Sequence, residues 1–312
     1  MRTPRNRTRQ RAMAALVAGA LTCAPAANAA ARPPAPHHAS APHHGSPRHS
    51  GSKRAVPQRP ETPAAPAAAA ALSQDGFVGG AFDTCAAPTA AAMAAWWGAS
   101  AFKAAGIYLG GVNRACPQGN LSASWVQQVS AQGWRLIPAY VGLQAPCVTA
   151  KHLNLMVAAG VQAEATAAAD DAAADAVSLG LAPGSAIYYD LENYQHGNAA
   201  CTQTVMAYIS TWTQRLHTDG YLAGVYSSAD SGIADLGRAV GSPGWVPPDS
   251  IWIARWNNSP STSDPSLPDT DWADHQRIKQ FTGSHQEAYG SASIEIDGNY
   301  VDGPVAIVAA QS

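Results

Sequence analysis

The segment Ile187-Tyr188-Tyr189-Asp190-Leu191-Glu192 is an apolar run that closes on two carboxylates one residue apart. Pro183-Gly184 marks a turn before it, and the β-forming residues from Ala186 to Leu191 predict a buried strand. Side chains alternate along a strand, so Asp190 and Glu192 project from one side. Like charges at close range push one pKa upward, which lets one carboxyl keep its proton while its neighbour is ionised. An acid beside a carboxylate is what glycosidic-bond cleavage needs. Of the two, Glu192 is expected to carry the higher pKa. The competing reading has Asp190 capping the next helix and Glu192 in solvent.

The elements that would position this pair run from residue 73 to the end. Predicted strands are 76–82, 105–109, 135–141, 186–191, 222–226, 251–255, 277–281 and 293–296. Predicted helices are 89–97, 122–132, 163–179 and 199–218, the second opening at the polar start Asn120-Leu121-Ser122. Eight strands alternating with helices in about 240 residues match a (β/α)8 barrel of the TIM type in number and size. A doubly wound sheet competes, but no Gly-x-Gly-x-x-Gly turn follows the first strand.

Active sites of such barrels lie at the C-terminal ends of the strands. There the sequence puts Asp83, Tyr140, Asp190 with Glu192, Tyr226, Trp256, Gln280 and Asp297. Four acids beside Tyr and Trp rings describe a carbohydrate cleft. Single members have structural readings: Asp83 as a cap for the helix at Thr89, Gln280 as a satisfied core amide. Trp252, Ala254 and Trp256 share one face of their strand, and small Ala254 beneath Trp256 suits an indole at the rim.

The remaining segments bound the setting. Five arginines precede the apolar run 12–21, and Ala27-Asn28-Ala29 is a small-x-small cleavage signal, so residues 1–29 read as a signal peptide for general secretion. The apolar run is too short for a stable membrane anchor. Residues 30–72 are rich in Ala, Pro and His and read as a disordered tether. The folded part, 73–312, holds nine Lys and Arg against 20 Asp and Glu, roughly −11, a poor match for nucleic acid. Cys85, Cys116, Cys147 and Cys201 remain after the signal, an even number that favours two disulfides in an exported chain. Their spacing is unlike a zinc site, and no cofactor or metal is called for. A monomer is expected.

Gly80-Ala81-Phe82-Asp83-Thr84-Cys85, Tyr108-Leu109-Gly110-Gly111, Tyr140-Val141-Gly142-Leu143-Gln144 and Tyr189-Asp190-Leu191-Glu192 resemble the actinobacterial glycoside-hydrolase-like proteins of domain-of-unknown-function family 1906. That family is in turn similar to the glycoside hydrolase family 25 lysozymes, barrels in which Asp-x-Glu closes the fourth strand. The resemblance implies Glu192 as general acid, and Asp190 as a group that stabilises the developing cation or orients a substrate acetamido group. It also matches Asp83 and Asp297 to the acids of the first and last strands, with a polysaccharide such as peptidoglycan as substrate. Adjacent strands of the barrel make Cys85–Cys116 and Cys147–Cys201 the shortest pairings. Two other functions stay open: a glycan-binding barrel without turnover, and a metal-dependent deacetylase using acids with His196, which lacks any His-x-x-His pair.

Overall fold

A computed structural model describes residues 76–309, so the signal-peptide and tether expectations lie outside the described residues. Eight strands close into a barrel in sequential order. They are β1 (Gly76–Asp83), β2 (Ala104–Gly110), β3 (Arg135–Tyr140), β4 (Ala186–Leu191), β5 (Leu222–Ser228), β6 (Ser250–Ala254), β7 (Arg277–Tyr289) and β8 (Ala292–Pro304). Helices α1 (Ala90–Ala99), α2 (Ala123–Gln132), α3 (Val161–Ser178), α4 (Ala199–Thr218) and α5 (Ala234–Ala239) follow the first five strands in turn. Local chemistry sets their starts: Thr89, Ser122 and Asn198 each accept a hydrogen bond from a first-turn N–H of α1, α2 and α4. Gly133 ends α2 at φ +112°, where a side chain would be strained.

The barrel departs from eight identical units. A π-helical turn, Ala229–Ile233, leads into the short α5, which the sequence pattern did not announce. No helix separates β6 from β7 or β7 from β8. β8 runs antiparallel to both β7 and β1, while the other pairs are parallel. The reason is the link: Gly290 and Ser291 join β7 to β8 as a two-residue turn with Gly290 at φ +59°, and so short a turn can only make a hairpin.

Two apolar layers result. Ala81, Ala104, Ile137, Ala139, Tyr188, Trp252 and Ile278 fill the barrel interior. Phe82, Trp96, Trp134, Tyr189, Tyr208 and Trp212 pack between strands and helices. The large interior rings need small neighbours. A Cβ on Gly224 would stand 2.2 Å from the Tyr188 ring, so β5 has glycine there. Both expected disulfides are present, Cys85–Cys116 and Cys147–Cys201, with Cα separations of 5.7 and 5.9 Å. Among the described residues no helix is long and apolar enough to cross a membrane.

Candidate active site

Parity along each strand decides which side chains enter the barrel. On β4, Tyr188 is in the inner layer and Tyr189 in the outer, so Asp190 points inward. On β1, Ala81 is inner and Phe82 outer, which turns Asp83 inward. Asp83, Asp190, Glu192 and Asp297 line a single cavity of about 260 Å³, together with Tyr108, Arg114 and the Cys85–Cys116 bridge. A wider cavity of about 740 Å³ lies beside α3 and α4, lined by Met156, Val161, Gln162, Asn198 and Ala207 among others. It is lined by no titratable group, so the smaller cavity is where chemistry can occur.

Asp83 is buried and accepts from three donors. Tyr108 Oη reaches its Oδ1 at 2.9 Å, while Gln280 Nε2 and Asn299 Nδ2 reach its Oδ2 at 2.9 and 2.7 Å. Burial raises its pKa, and these three hydrogen bonds pull it back. Gly106 keeps the space open, since a Cβ there would lie 2.6 Å from that of Asp83.

Asp190 is 5% exposed, and its Oδ1 has no hydrogen-bond partner among the described residues. Burial first, then the charges of Glu192 and Asp83, push its pKa well above the usual carboxylate range. Glu192 stands exposed at the rim, yet the surrounding walls desolvate its carboxyl and raise its pKa, with the Asn193 N–H pulling it down. Both carboxyls are thus raised: Asp190 sits deep with nothing hydrogen-bonding its Oδ1, whereas Glu192 is desolvated against the pull of a backbone bond. Asp297 is pushed up to about 7 by burial and then by Asp83, with His285 opposing.

Buried Gln144 holds the backbone of the pair. Its Oε1 accepts the Glu192 N–H at 2.8 Å, and its Nε2 donates to the Asp190 carbonyl at 2.9 Å. Tyr226 Oη and Trp256 Nε1 both donate to Gln280 Oε1, at 3.1 and 2.9 Å. Trp256 lies just beyond β6 and is 66% exposed.

Tyr226, Gln280 and Trp256 do not line the cavity and join it only through the hydrogen bonds that end on Asp83, whereas Tyr140 is turned away from it altogether. Ile137 and Ala139 face inward, so Tyr140 faces outward, packs on Trp212 and donates to Asp171 of α3 at 2.7 Å. Counting parity from Ala139 would have excluded it. The same count finds the residues that sequence reasoning left out of the site. Tyr108 shares its face with Ala104 on β2, and Asn299 shares its face with Asp297 on β8. Gln144 and Arg114 lie on loops, where periodicity carries no signal. Among the described residues no group of three or more His, Cys, Asp and Glu side chains is arranged to hold a metal.

Residues 94–301 match the family model described as the Rv2525c-like, glycoside hydrolase-like domain. Among solved structures the chain is similar to the Tat-secreted protein Rv2525c of Mycobacterium tuberculosis in complex with L-tartrate. Identity is 14%, 72% of this chain and 96% of that chain are covered, and the TM-score is 0.50. It is also similar to the modular autolysin LytC of Streptococcus pneumoniae, with 15% identity, 72% and 46% covered, and TM-score 0.47. A third is the catalytic domain of endolysin ply40 from bacteriophage P40 of Listeria monocytogenes, with 14% identity, 72% and 93% covered, and TM-score 0.43. No curated protein sequence matches the chain. At such identities the likeness to these structures is one of fold.

Proposed function

Since the chain belongs to the family of Rv2525c-like, glycoside hydrolase-like domains, we propose that it hydrolyses a glycosidic bond in peptidoglycan or a related polysaccharide. The observation that carries this reading is the convergence of Asp83, Asp190, Glu192 and Asp297, from three strands and the end of one of them, on one cavity.

Glu192 is the general acid in this proposal. It stands at the rim, where a glycosidic oxygen can reach it, and its raised pKa keeps a proton available. Burial pushes the pKa of Asp190 beneath it well above the usual carboxylate range, which favours the protonated form, and a protonated carboxyl donates a hydrogen bond. That favours orienting the carbonyl of a substrate acetamido group over stabilising a cation, which calls for an anion. Asp83 is saturated by donors on both oxygens and serves as a fixed acceptor. Asp297, held near neutrality, is suited to take the proton of an attacking water. Trp256 offers an exposed indole at the mouth for a sugar ring.

The two disulfides support a setting outside the reducing cytosol, in line with the signal-like N-terminus. No two arginines are adjacent in residues 1–11, which favours general secretion over the twin-arginine route. The chain would then act in or beyond the cell wall, as a monomer.

The test is release of reducing ends from purified peptidoglycan and from chitin oligomers by wild type and Glu192→Gln. Turnover by wild type that is lost in the variant, with oligomer binding retained, supports the proposal. Equal activity in both removes Glu192 from the acid role. Binding without turnover in either means that the barrel is a glycan-binding module.

A further inference from the structure

Two indole N–H groups reach the same carboxylate oxygen through two amides. Trp252 Nε1 donates to Asn299 Oδ1 at 2.8 Å, and Asn299 Nδ2 donates to Asp83 Oδ2 at 2.7 Å. Trp256 Nε1 donates to Gln280 Oε1 at 2.9 Å, and Gln280 Nε2 donates to the same Oδ2 at 2.9 Å. Each amide has its orientation forced, because an oxygen that accepts an indole N–H leaves only the NH2 group for the carboxylate. For Gln280 the constraint is doubled, since Tyr226 Oη also donates to Oε1.

The branches differ in one respect. Trp252 is 1% exposed, so its branch is shielded from water. Trp256 is 66% exposed. One side of its indole lies on β7 at Gly283, where a Cβ would stand 2.8 Å from the ring carbons, so only glycine admits the ring there.

We propose that Gln280 is a positioning residue for Asp83, and that a sugar ring seated on Trp256 is coupled through Gln280 to that carboxylate. The proposal rests on the hydrolase reading and adds to it the route from the rim to the floor of the cleft. A ring stacked on the free side of the indole orders it and removes water from the N–H···Oε1 bond. A hydrogen bond in lower local dielectric is stronger and polarises the next one in the chain. The Gln280 bond to Asp83, already made with the cleft empty, is strengthened when the cleft is filled. A core glutamine serving packing alone would not link an exposed ring to a buried acid.

The other groups that face Asp83 are Tyr108 from β2, Asp190 from β4, Tyr226 from β5 and Asp297 from β8, and Glu192 and Arg114 line the same cavity. The sign of the Gln280 contribution is fixed by its being a donor: removing it raises the Asp83 pKa.

The experiment has a ligand-free arm and a kinetic arm. The carboxyl carbon of Asp83 is followed by NMR titration in wild type, Gln280→Leu and Trp256→Phe. Gln280→Leu is expected to raise the Asp83 midpoint by about one pH unit, on the order of tenfold in proton affinity, and Trp256→Phe by less. Because Trp256 is exposed, Trp256→Phe carries the test if Gln280→Leu fails to fold. In the second arm, chitin-oligomer affinity and kcat are measured for Trp256→Phe, which keeps a smaller stacking ring and deletes the N–H together with the five-membered part of the indole. Affinity within about threefold of wild type, with kcat down on the order of tenfold and the acid limb of the pH profile moved up, supports the coupling. An Asp83 midpoint unchanged in both variants overturns it, as does unchanged kcat in Trp256→Phe. A wild type that binds oligomers without turnover counts against the hydrolase reading alone, and the titration then decides the positioning role by itself.

Discussion

Asp83 and Asp297 stand directly opposite each other in register on β1 and β8, although these strands run in opposite directions. Asp83 ends β1, whereas Asp297 lies in the middle of β8, which starts at the tip of its hairpin with β7 and runs back along β1. The two acids therefore meet at the mouth without both closing a strand. Both are desolvated, and Asp297 also feels the charge of Asp83, so its pKa is pushed up to about 7.

Asp297 sets a pH dependence of stability. Its folded pKa of about 7 lies above the ordinary carboxylate value, so the folded state holds a proton that the unfolded chain has released. Stability contributed by this site falls as pH rises from about 4 to about 7. Asp297→Asn is expected to be more stable than wild type at pH 8, by on the order of 1–3 kcal/mol, with the gap closing toward pH 4. Urea unfolding of both proteins at pH 4, 6 and 8 measures it. A gap that widens toward pH 4 would mean that Asp297 is stabilised as an anion.

Asp264 has the opposite sign. Burial opposes its charge, but hydrogen bonds from Arg255 at 2.9 Å and Lys279 at 2.6 Å hold its pKa at about 2. Its contribution is present above about pH 4 and is lost as pH falls through about 2. Lys279 is 1% exposed, so Asp264→Asn leaves a buried cation without its counter-charge and should cost on the order of 3–5 kcal/mol at pH 7. The check is the melting temperature of both proteins from pH 7 to pH 2. A constant difference across that range would remove the ion pair as the cause.

Tyr140 tests the assignment of faces. Tyr140→Phe loses the 2.7 Å bond to Asp171 and should cost about 1 kcal/mol, while Tyr140→Ala empties a ring-sized space and should cost about 3–5 kcal/mol. Neither is expected to change chitin-oligomer affinity, because the ring packs against Trp212 away from the cleft. A tenfold loss of affinity in Tyr140→Phe with unchanged melting temperature would return this residue to the site.

The disulfides close loops of different length. Cys147 and Cys201 are 54 residues apart and Cys85 and Cys116 are 31 apart. On a chain-entropy estimate each contributes ~3–4 kcal/mol, the longer loop slightly more. Replacing Cys85 and Cys116 together by Ala should also reduce oligomer affinity, since that bridge lines the cleft, whereas replacing Cys147 and Cys201 should lower stability alone. Calorimetric binding and melting curves of the two double variants separate these effects.

Much of this protein is decided within short stretches of chain. The runs around Ala81, Tyr188, Val225 and Ile251 specify buried strands, Thr89 and Ser122 specify helix starts, and the even cysteine count specifies two bridges. The strand ends that carry Asp83, Asp190 and Glu192 follow from the same local patterns, because alternation is a property of the backbone alone. Other properties belong only to the folded chain. The direction of β8 depends on a two-residue turn that a strand count does not weigh, and Tyr140 leaves the cleft because its strand enters the barrel in the other phase. The raised pKa values of Asp190 and Glu192 depend on how far each is desolvated, and the two indole–amide branches join residues far apart in sequence at one oxygen of Asp83. Periodicity reports which face a residue takes. Depth, desolvation and hydrogen-bond partners arise from packing between distant segments, and only the closed barrel determines them.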